Sequence, residues 1–280
     1  MYVFRPVTVD NECIHICASL LQTVFPKTNK FTETFLKWEY AYNPVGKIVG
    51  FNAFAGDELA AHYVAQPAIV DLFGKERKGL LSLNTATHPN HQGKKLFTTL
   101  ADMTYKYAAE NGFEFVFGVA NANSTHGFLT KLGFQHVSPL VAKVGVGEIK
   151  TDPEKKQFCF KRIWTEETLQ WRMKNPKLKY EISGHRIYAT TGKLGIKAIM
   201  GNFEQHLFNN IPSSKISSFN PVKLYVGIDN SIIWNKSMYY NVPKKLRQSP
   251  LNMIFKDLTG NNLKLDVNNV KFQLIDFDGY

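Results

Sequence analysis

The chain has 280 residues, 44% of them hydrophobic, and 34 Lys and Arg against 23 Asp and Glu give it a formal charge of +11. No apolar run approaches the ~20 residues of a membrane-spanning helix, and the Met1-Tyr-Val-Phe-Arg5 start lacks the pattern of a secretory signal, so a cytoplasmic protein with no membrane partner is expected. The charge calls for an acidic partner (nucleic acid, a membrane surface or phosphate-bearing small molecules), but the lysines of 150–179 are interrupted by Glu154, Glu166 and Glu167, which argues against a nucleic-acid stripe.

In chain order, the first predicted helix carries Cys13 and Cys17 on one face. With Cys159 they make no disulfide framework and are read as reduced core thiols. The eight histidines are scattered, so no metal site is expected. A second helix spans Phe31-Thr-Glu-Thr-Phe-Leu-Lys-Trp38 and stops at Asn43-Pro44. Ile48 to Tyr63 predicts two strands about a glycine turn, and Leu80-Leu-Ser-Leu-Asn-Thr-Ala-Thr87 predicts another that Pro89 ends. Apolar residues then fall at Leu96, Phe97, Leu100, Met103, Tyr107 and Ala108, one face of a helix closed by Asn111-Gly112. Phe113 to Val119 predicts a buried strand, and Ala120-Asn-Ala-Asn-Ser124 leads into a short helix ending Lys131-Leu-Gly-Phe134.

Gly145 to Pro153 interrupts the apolar pattern and predicts a boundary, giving parts 1–147 and 148–280. The second part opens with an internal repeat: Trp164-Thr-Glu-Glu-Thr-Leu-Gln-Trp171 and Asn175-Pro176 restate the helix and stop of the first, at an offset of 133 residues from Phe31 to Trp164. Strands are predicted within Tyr180 to Met200, from Lys223, and over Val270 to Asp276, with a turn between Gly227 and Trp234.

The stretch His88-Pro-Asn-His-Gln-Gly-Lys-Lys-Leu-Phe97 joins a strand to a helix through a basic turn. A helix start offers free backbone amides and a positive dipole end, Gly93 permits close approach, and Lys94 and Lys95 add charge, an arrangement suited to pyrophosphate. With the later Lys-Leu-Gly-Phe, this order of elements resembles the GNAT superfamily of CoA-dependent acyltransferases over residues 1 to 147. Aligned on Gln92, Lys95 and Phe97 stand where the family's loop glycines are usual. The Gly-Lys-x-Leu-Phe form, Asn-x-Asn-Ser and Trp38-Glu-Tyr-Ala-Tyr-Asn-Pro44 look most like members that N-acylate nucleotide-linked amino sugars, as in surface-polysaccharide synthesis.

The resemblance implies an α/β (α+β) fold, a mixed and mostly antiparallel sheet flanked by helices, and the repeat implies a second, degenerate GNAT-like half. That half lacks the loop, so it is not expected to hold acyl-CoA; it would shape the acceptor pocket or a homodimer contact. The expected co-substrate is acetyl-CoA or a longer acyl-CoA, held by Thr85, Ala86, Thr87, Gln92, Gly93, Lys94, Lys95, Leu96, Phe97, Asn123 and Ser124. Transfer would be direct, with His62 or Glu39 as base; the family's usual acid tyrosine is replaced by Leu129, which leaves the acid unassigned. Trp38, Tyr40, Asn84 and Asn121 are candidates for the acceptor. The alternatives are an acetyltransferase for another small amine (an amino acid, polyamine or aminoglycoside) and a non-catalytic GNAT-like binding module.

Overall fold

The computed structural model describes residues 1–155, 157–193, 195–211, 216, 220–247 and 249–277. Strand β1 (Val3–Pro6) pairs antiparallel with β2 (Val49–Ala55), which turns at Gly56, φ +62°, into β3 (Glu58–Leu72), itself antiparallel to β4 (Lys75–Thr87). Strand β5 (Phe115–Ala120) lies parallel to β4. Helices α1 (Asn11–Val24) and α2 (Glu33–Ala41) cover one face of this sheet, and α3 (Leu96–Glu110) covers the other. The side-chain alternation of a strand explains the division, since Leu81 of β4 joins the core under α1 and α2 while Leu80 joins the core under α3. The helix starts are capped as their sequences require: Asp10 Oδ1 accepts from the Cys13 amide at 2.9 Å, and Thr32 Oγ1 from the Phe35 amide at 3.3 Å.

After the short helix α4 (Ala122–His126) come β6 (Gln135–Pro139), β7 (Val141–Gly145), β8 (Phe160–Arg162) and helix α5 (Glu166–Met173). The rest is β9 (Tyr180–Ser183), β10 (Arg186–Thr190), β11 (Ile196–Asn202), β12 (Val222–Asp229), β13 (Tyr239–Asn241), β14 (Asn252–Asp257) and β15 (Val270–Phe272). The strand expected over Val270 to Asp276 ends at Phe272, because residues 274–276 form a 3₁₀ turn. The fifteen strands among the described residues belong to one connected sheet.

The second half repeats the first in its pairing. Strands β9, β10 and β11 are antiparallel neighbours, as β2, β3 and β4 are, and β12 lies parallel to β11 as β5 does to β4. Each half then lends the other a strand: β14 inserts antiparallel between β5 and β6, and β7 inserts antiparallel between β12 and β13. The halves also meet through their repeated helices. Trp38 and Trp171 stack with centroids 5.1 Å apart and 15° between planes, and each indole N–H donates to the other residue's carbonyl, at 2.8 and 3.0 Å. These equivalent positions make self-complementary contacts of the kind a two-fold axis produces between identical subunits.

Candidate active site

Strands β4 and β5 pair only from Gly79↔Phe115 to Ser82↔Gly118. Beyond Ser82, β4 stays on β3 as far as Thr87↔Ala61, and β5 stays on β14 as far as Ala120↔Asn252. Both strands continue with their outer partners while parting from each other, so a wedge opens between Leu83–Thr87 and Val119–Ala120. At its root β4 is irregular: Leu83 faces Val64 and Ala86 faces His62, so Asn84 and Thr85 together oppose Tyr63. Asn84 has φ +47°, the left-handed region that asparagine tolerates better than most residues. Such a bulge frees backbone groups from the ladder and re-aims them, here at the segment 84–87 expected to meet a thioester carbonyl.

The matching position of the second half is filled. Strands β11 and β12 pair from Ile196↔Val222 to Ile199↔Tyr225 and then part, and there the Asn202 amide donates to Gln273 Oε1 at 2.7 Å with the 274–276 turn packed behind. The two halves thus share a topology but differ in what their parting strands can admit.

Past Thr87 the chain makes a 3₁₀ turn at Pro89–His91, then Gly93 at φ +75° and Lys95 at φ +60°, and α3 begins at Leu96. No side chain caps α3. The amides of Leu96, Phe97 and Thr98 have no intrahelical acceptor by helix geometry, and Gln92, Gly93, Lys94 and Lys95 are exposed around them. This is an anion-ready helix start with two lysines beside it. Leu96 and Phe97 can serve only through their backbone, since Leu96 is buried in the core and Phe97 packs edge-on against Phe128 at 5.2 Å. Ala86 is buried, and Thr85 and Thr87 are half-buried beside it.

On the α1–α2 face, a chain of buried polar groups reaches the bulge. His62 is fully buried; its Nδ1–H donates to Asn52 Oδ1 at 2.6 Å, and its Nε2 accepts from the Tyr40 hydroxyl at 2.9 Å. Tyr40 Oη in turn accepts from Asn84 Nδ2 at 3.2 Å, and the same amide donates to Glu39 Oε2. Desolvation pushes His62 down to about 3 and the Tyr40 hydroxyl well above its ordinary value, so both are neutral near pH 7. Glu39, 1% exposed, is the acidic member of this chain held directly against the bulge residue. Cys13 and Cys17 lie at its far end with their sulfurs 4.0 Å apart and unbridged.

Tyr63 points to the opposite face, where its hydroxyl meets Ser82 Oγ at 2.8 Å and the Tyr105 hydroxyl at 2.6 Å. Burial raises Tyr63 to about 12. Ser82 is the last residue paired across the wedge, so this hydroxyl cluster stands at its root. Sequence reading missed it; the only signal was the alternation of His62 and Tyr63, which assigns them to opposite faces.

Several expected acceptor contacts are placed otherwise. Trp38 is 4% exposed and covered by Trp171, and Tyr40 is fully buried, so neither ring offers a face to a sugar. Asn121 caps α4: its Oδ1 accepts from the amides of Asn123 and Ser124 at 3.0 and 3.1 Å, while Ser124 Oγ accepts from the Asn121 amide at 3.1 Å. The turn chemistry of asparagine and serine thus occupies both side chains. Asn123 is exposed on the same turn. His88 and His91 brace the loop: Glu58 lies 3.6 Å from His88 Nδ1 and 3.1 Å from His91 Nε2, and the Tyr2 hydroxyl lies 2.9 Å from His91 Nδ1.

The family model described as acetyltransferase (GNAT) domain matches residues 5–137, the span that carries the wedge and the loop. The match covers 133 of the 280 residues, a little under half of the chain. GNAT domains are acyl-CoA-dependent N-acyltransferases, with acyl-CoA as co-substrate. Curated proteins give no match. Solved structures of similar fold extend the likeness beyond the GNAT domain to nearly the whole chain. A probable N-acyltransferase from Enterococcus faecalis V583 is 8% identical, with a TM-score of 0.59 over 92% of this chain and 73% of that one. A GCN5-related N-acetyltransferase from Anabaena variabilis is 11% identical, with a TM-score of 0.57 over the same shares. Saccharomyces cerevisiae N-myristoyltransferase with bound myristoyl-CoA and inhibitors is 10% identical, with a TM-score of 0.59 over 99% of this chain and 86% of that one. Among the described residues no helix is long and apolar enough to cross a membrane.

Proposed function

We propose that the GNAT domain transfers an acyl group from acyl-CoA to the amine of a nucleotide-linked amino sugar by direct attack. The observation that carries the transferase reading is the wedge between β4 and β5, which opens over a bulge beside an anion-ready helix start. In this reading the CoA pyrophosphate lies on the amides of 93–98 with Lys94 and Lys95 near it, and the thioester lies along 84–87. Backbone amides there stabilise the oxygen as it becomes negative. Asn123 on the α4 turn contacts the pantetheine.

The loop is tested by titrating CoA and acetyl-CoA into the wild type and Gly93→Pro. Proline holds φ near −65°, whereas Gly93 sits at +75°, so the turn cannot form as it stands. Affinity is expected to fall more than ~10-fold, about 1.4 kcal/mol, with the circular dichroism unchanged. Equal affinity in the two proteins removes the loop from CoA binding, and no affinity in either removes the transferase reading.

Glu39 is the base in this proposal. His62 is enclosed and neutral, with both ring nitrogens engaged, and serves instead to hold Tyr40 and through it Asn84. Glu39→Gln keeps the shape and removes the base, and kcat is expected to drop on the order of 10²-fold with little change in acyl-CoA binding. An unchanged kcat assigns the base elsewhere.

The sugar rests on charge. The chain carries +11, and a cleft of about 370 Å³ in the second half is lined by Arg186, Lys197, Lys223 and His185 against Glu148. That balance favours a diphosphate over a cationic amine. In this reading the basic cleft of the second part, 148–280, receives the acceptor's diphosphate. An acceptor panel of nucleotide amino sugars, polyamines, amino acids and aminoglycosides decides it: turnover confined to the cationic amines would replace the sugar.

A further inference from the structure

Two of the histidines that look scattered in sequence are gathered by the fold at the base of the phosphate loop. His88 and His91 flank the 3₁₀ turn Pro89–His91, in which the His91 amide donates to the His88 carbonyl at 2.8 Å. Residues three apart eclipse on such a turn, so both imidazoles emerge on one side, with ring centroids 5.9 Å apart. Glu58 comes from the start of β3. The His88 amide donates to the Ala60 carbonyl at 2.9 Å, and Glu58, two residues before Ala60, points to the same face. Its Oε1 lies 3.6 Å from His88 Nδ1 and its Oε2 3.1 Å from His91 Nε2, and one ligand atom from each of the three residues falls within 4.8 Å of the others.

We propose that Glu58, His88 and His91 form a three-ligand site for a borderline first-row dication, Zn²⁺ in the first instance. Neighbouring donors about 3.3 Å apart are what tetrahedral bonds of ~2.0–2.1 Å produce, and two imidazoles with one carboxylate form a recognised donor set for that ion. The carboxylate-to-imidazole spacings of 3.6 and 3.1 Å, one to each Glu58 oxygen, lie near that value. The outer shell fits as well. With an ion bound in place of the His91 Nε2–H···Glu58 hydrogen bond, Tyr2 Oη, 2.9 Å from His91 Nδ1, would accept the Nδ1 proton and leave the Nε2 lone pair to the metal. The fourth position is open, because Glu58 and His88 line a cleft of about 240 Å³ together with His15, Ser19 and Thr23. A closed structural site would have four protein ligands; this one retains a place for water or an anionic ligand. A bound ion would tie β3 to the turn that precedes Gly93 and the start of α3. That last consequence rests on the acyl-CoA reading, whereas the site itself does not.

The test is equilibrium dialysis of chelator-treated protein against Zn²⁺, in the absence of CoA, followed by Co²⁺ absorption spectroscopy. The wild type is expected to take up one equivalent of Zn²⁺, and its Co²⁺ form to show d–d bands without a thiolate charge-transfer band. His88→Ala/His91→Ala is expected to lose the equivalent. Tyr2→Phe and Glu58→Gln, which preserve shape, keep the answer open to refutation if the double variant does not fold; each is expected to weaken binding ~10-fold or more. His15→Ala, altered in the same cleft, should bind as the wild type does. Equal uptake by the wild type and the ligand variants, or a thiolate band that moves the ion to Cys13 and Cys17, overturns the assignment. Zn²⁺ tightening CoA binding in the wild type but not in the double variant would support the link to the loop; equal CoA affinity with and without Zn²⁺ removes that link alone.

Discussion

Trp38→Ala is expected to cost ~3–5 kcal/mol of folding stability, read from denaturant unfolding, and Trp171→Ala a similar amount. Each indole is almost fully buried, lies flat on the other at 5.1 Å, and donates its N–H to the other residue's carbonyl. Truncation therefore removes three things together: the ring's apolar burial, the stack, and the donor of a buried carbonyl, which is left without that partner. The Arg172 guanidinium, 5.6 Å from the Trp38 ring centroid, loses a cation–π face as well. Trp38→Phe keeps an aromatic ring but loses the N–H and the indole's fused second ring, so its cost should be about 2 kcal/mol, below that of Trp38→Ala. The double variant should cost less than the two singles together, by about 1 kcal/mol or more, because both singles break the same contact. A loss under ~1 kcal/mol in Trp38→Ala would mean that the helices of the repeat are not what fastens the halves together.

The repeat that makes this pair equivalent is visible in the sequence, since tryptophan, threonine caps and Asn-Pro stops are rare enough to stand out at nearly one offset, 133 for the tryptophans and caps and 132 for the stops. Its consequence is not. A tryptophan on a helix before Asn43-Pro44 reads equally as a ligand-stacking ring or as core, and only its partner 133 residues away distinguishes the two. The strand exchange was illegible for a related reason. Alternation within β7 or β14 reports that one face is buried, but two strands of like pattern can pair with either half, and the choice is made by long-range packing.

The phosphate loop was legible because every signal for it is local: a strand ended by proline, a glycine at positive φ, and an apolar period that starts at Leu96. The side chains around it were less so. Lys95 takes the left-handed conformation where a glycine would be usual, and Phe97 spends its side chain on Phe128 and Tyr63, which confines the anion contacts to amides and lysines. Glu58 lies some 30 residues before the histidines that it meets, a separation no motif spans. Likewise Ala60-Ala-His-Tyr63 announces a strand, but not that α1 and α2 seal His62 from water while Tyr63 faces α3.

That sealing has a thermodynamic signature in acid. In the unfolded chain His62 takes up a proton below about pH 6.5, the ordinary histidine value, whereas in the folded protein burial holds it neutral down to about 3. Between these values unfolding binds one more proton at this site, so the contribution of His62 to stability is complete above pH 6.5 and is lost as pH falls toward 3. The slope approaches about 1.4 kcal/mol per pH unit below the unfolded value, and moving from pH 6.5 to 4.5 should cost roughly 2 kcal/mol from this residue alone. Carboxylates also protonate on the way down, so the informative quantity is the difference between the wild type and His62→Gln, which keeps a polar side chain but does not titrate. The variant should be less stable at pH 7, having lost the fit to Asn52 and Tyr40, yet its stability should decline less steeply between pH 6.5 and 4.5. Parallel curves would mean that His62 protonates in the folded state and is reached by water, which would restore it as a candidate base. A flatter variant curve would leave that role to Glu39, the acidic group held against Asn84 at the root of the wedge.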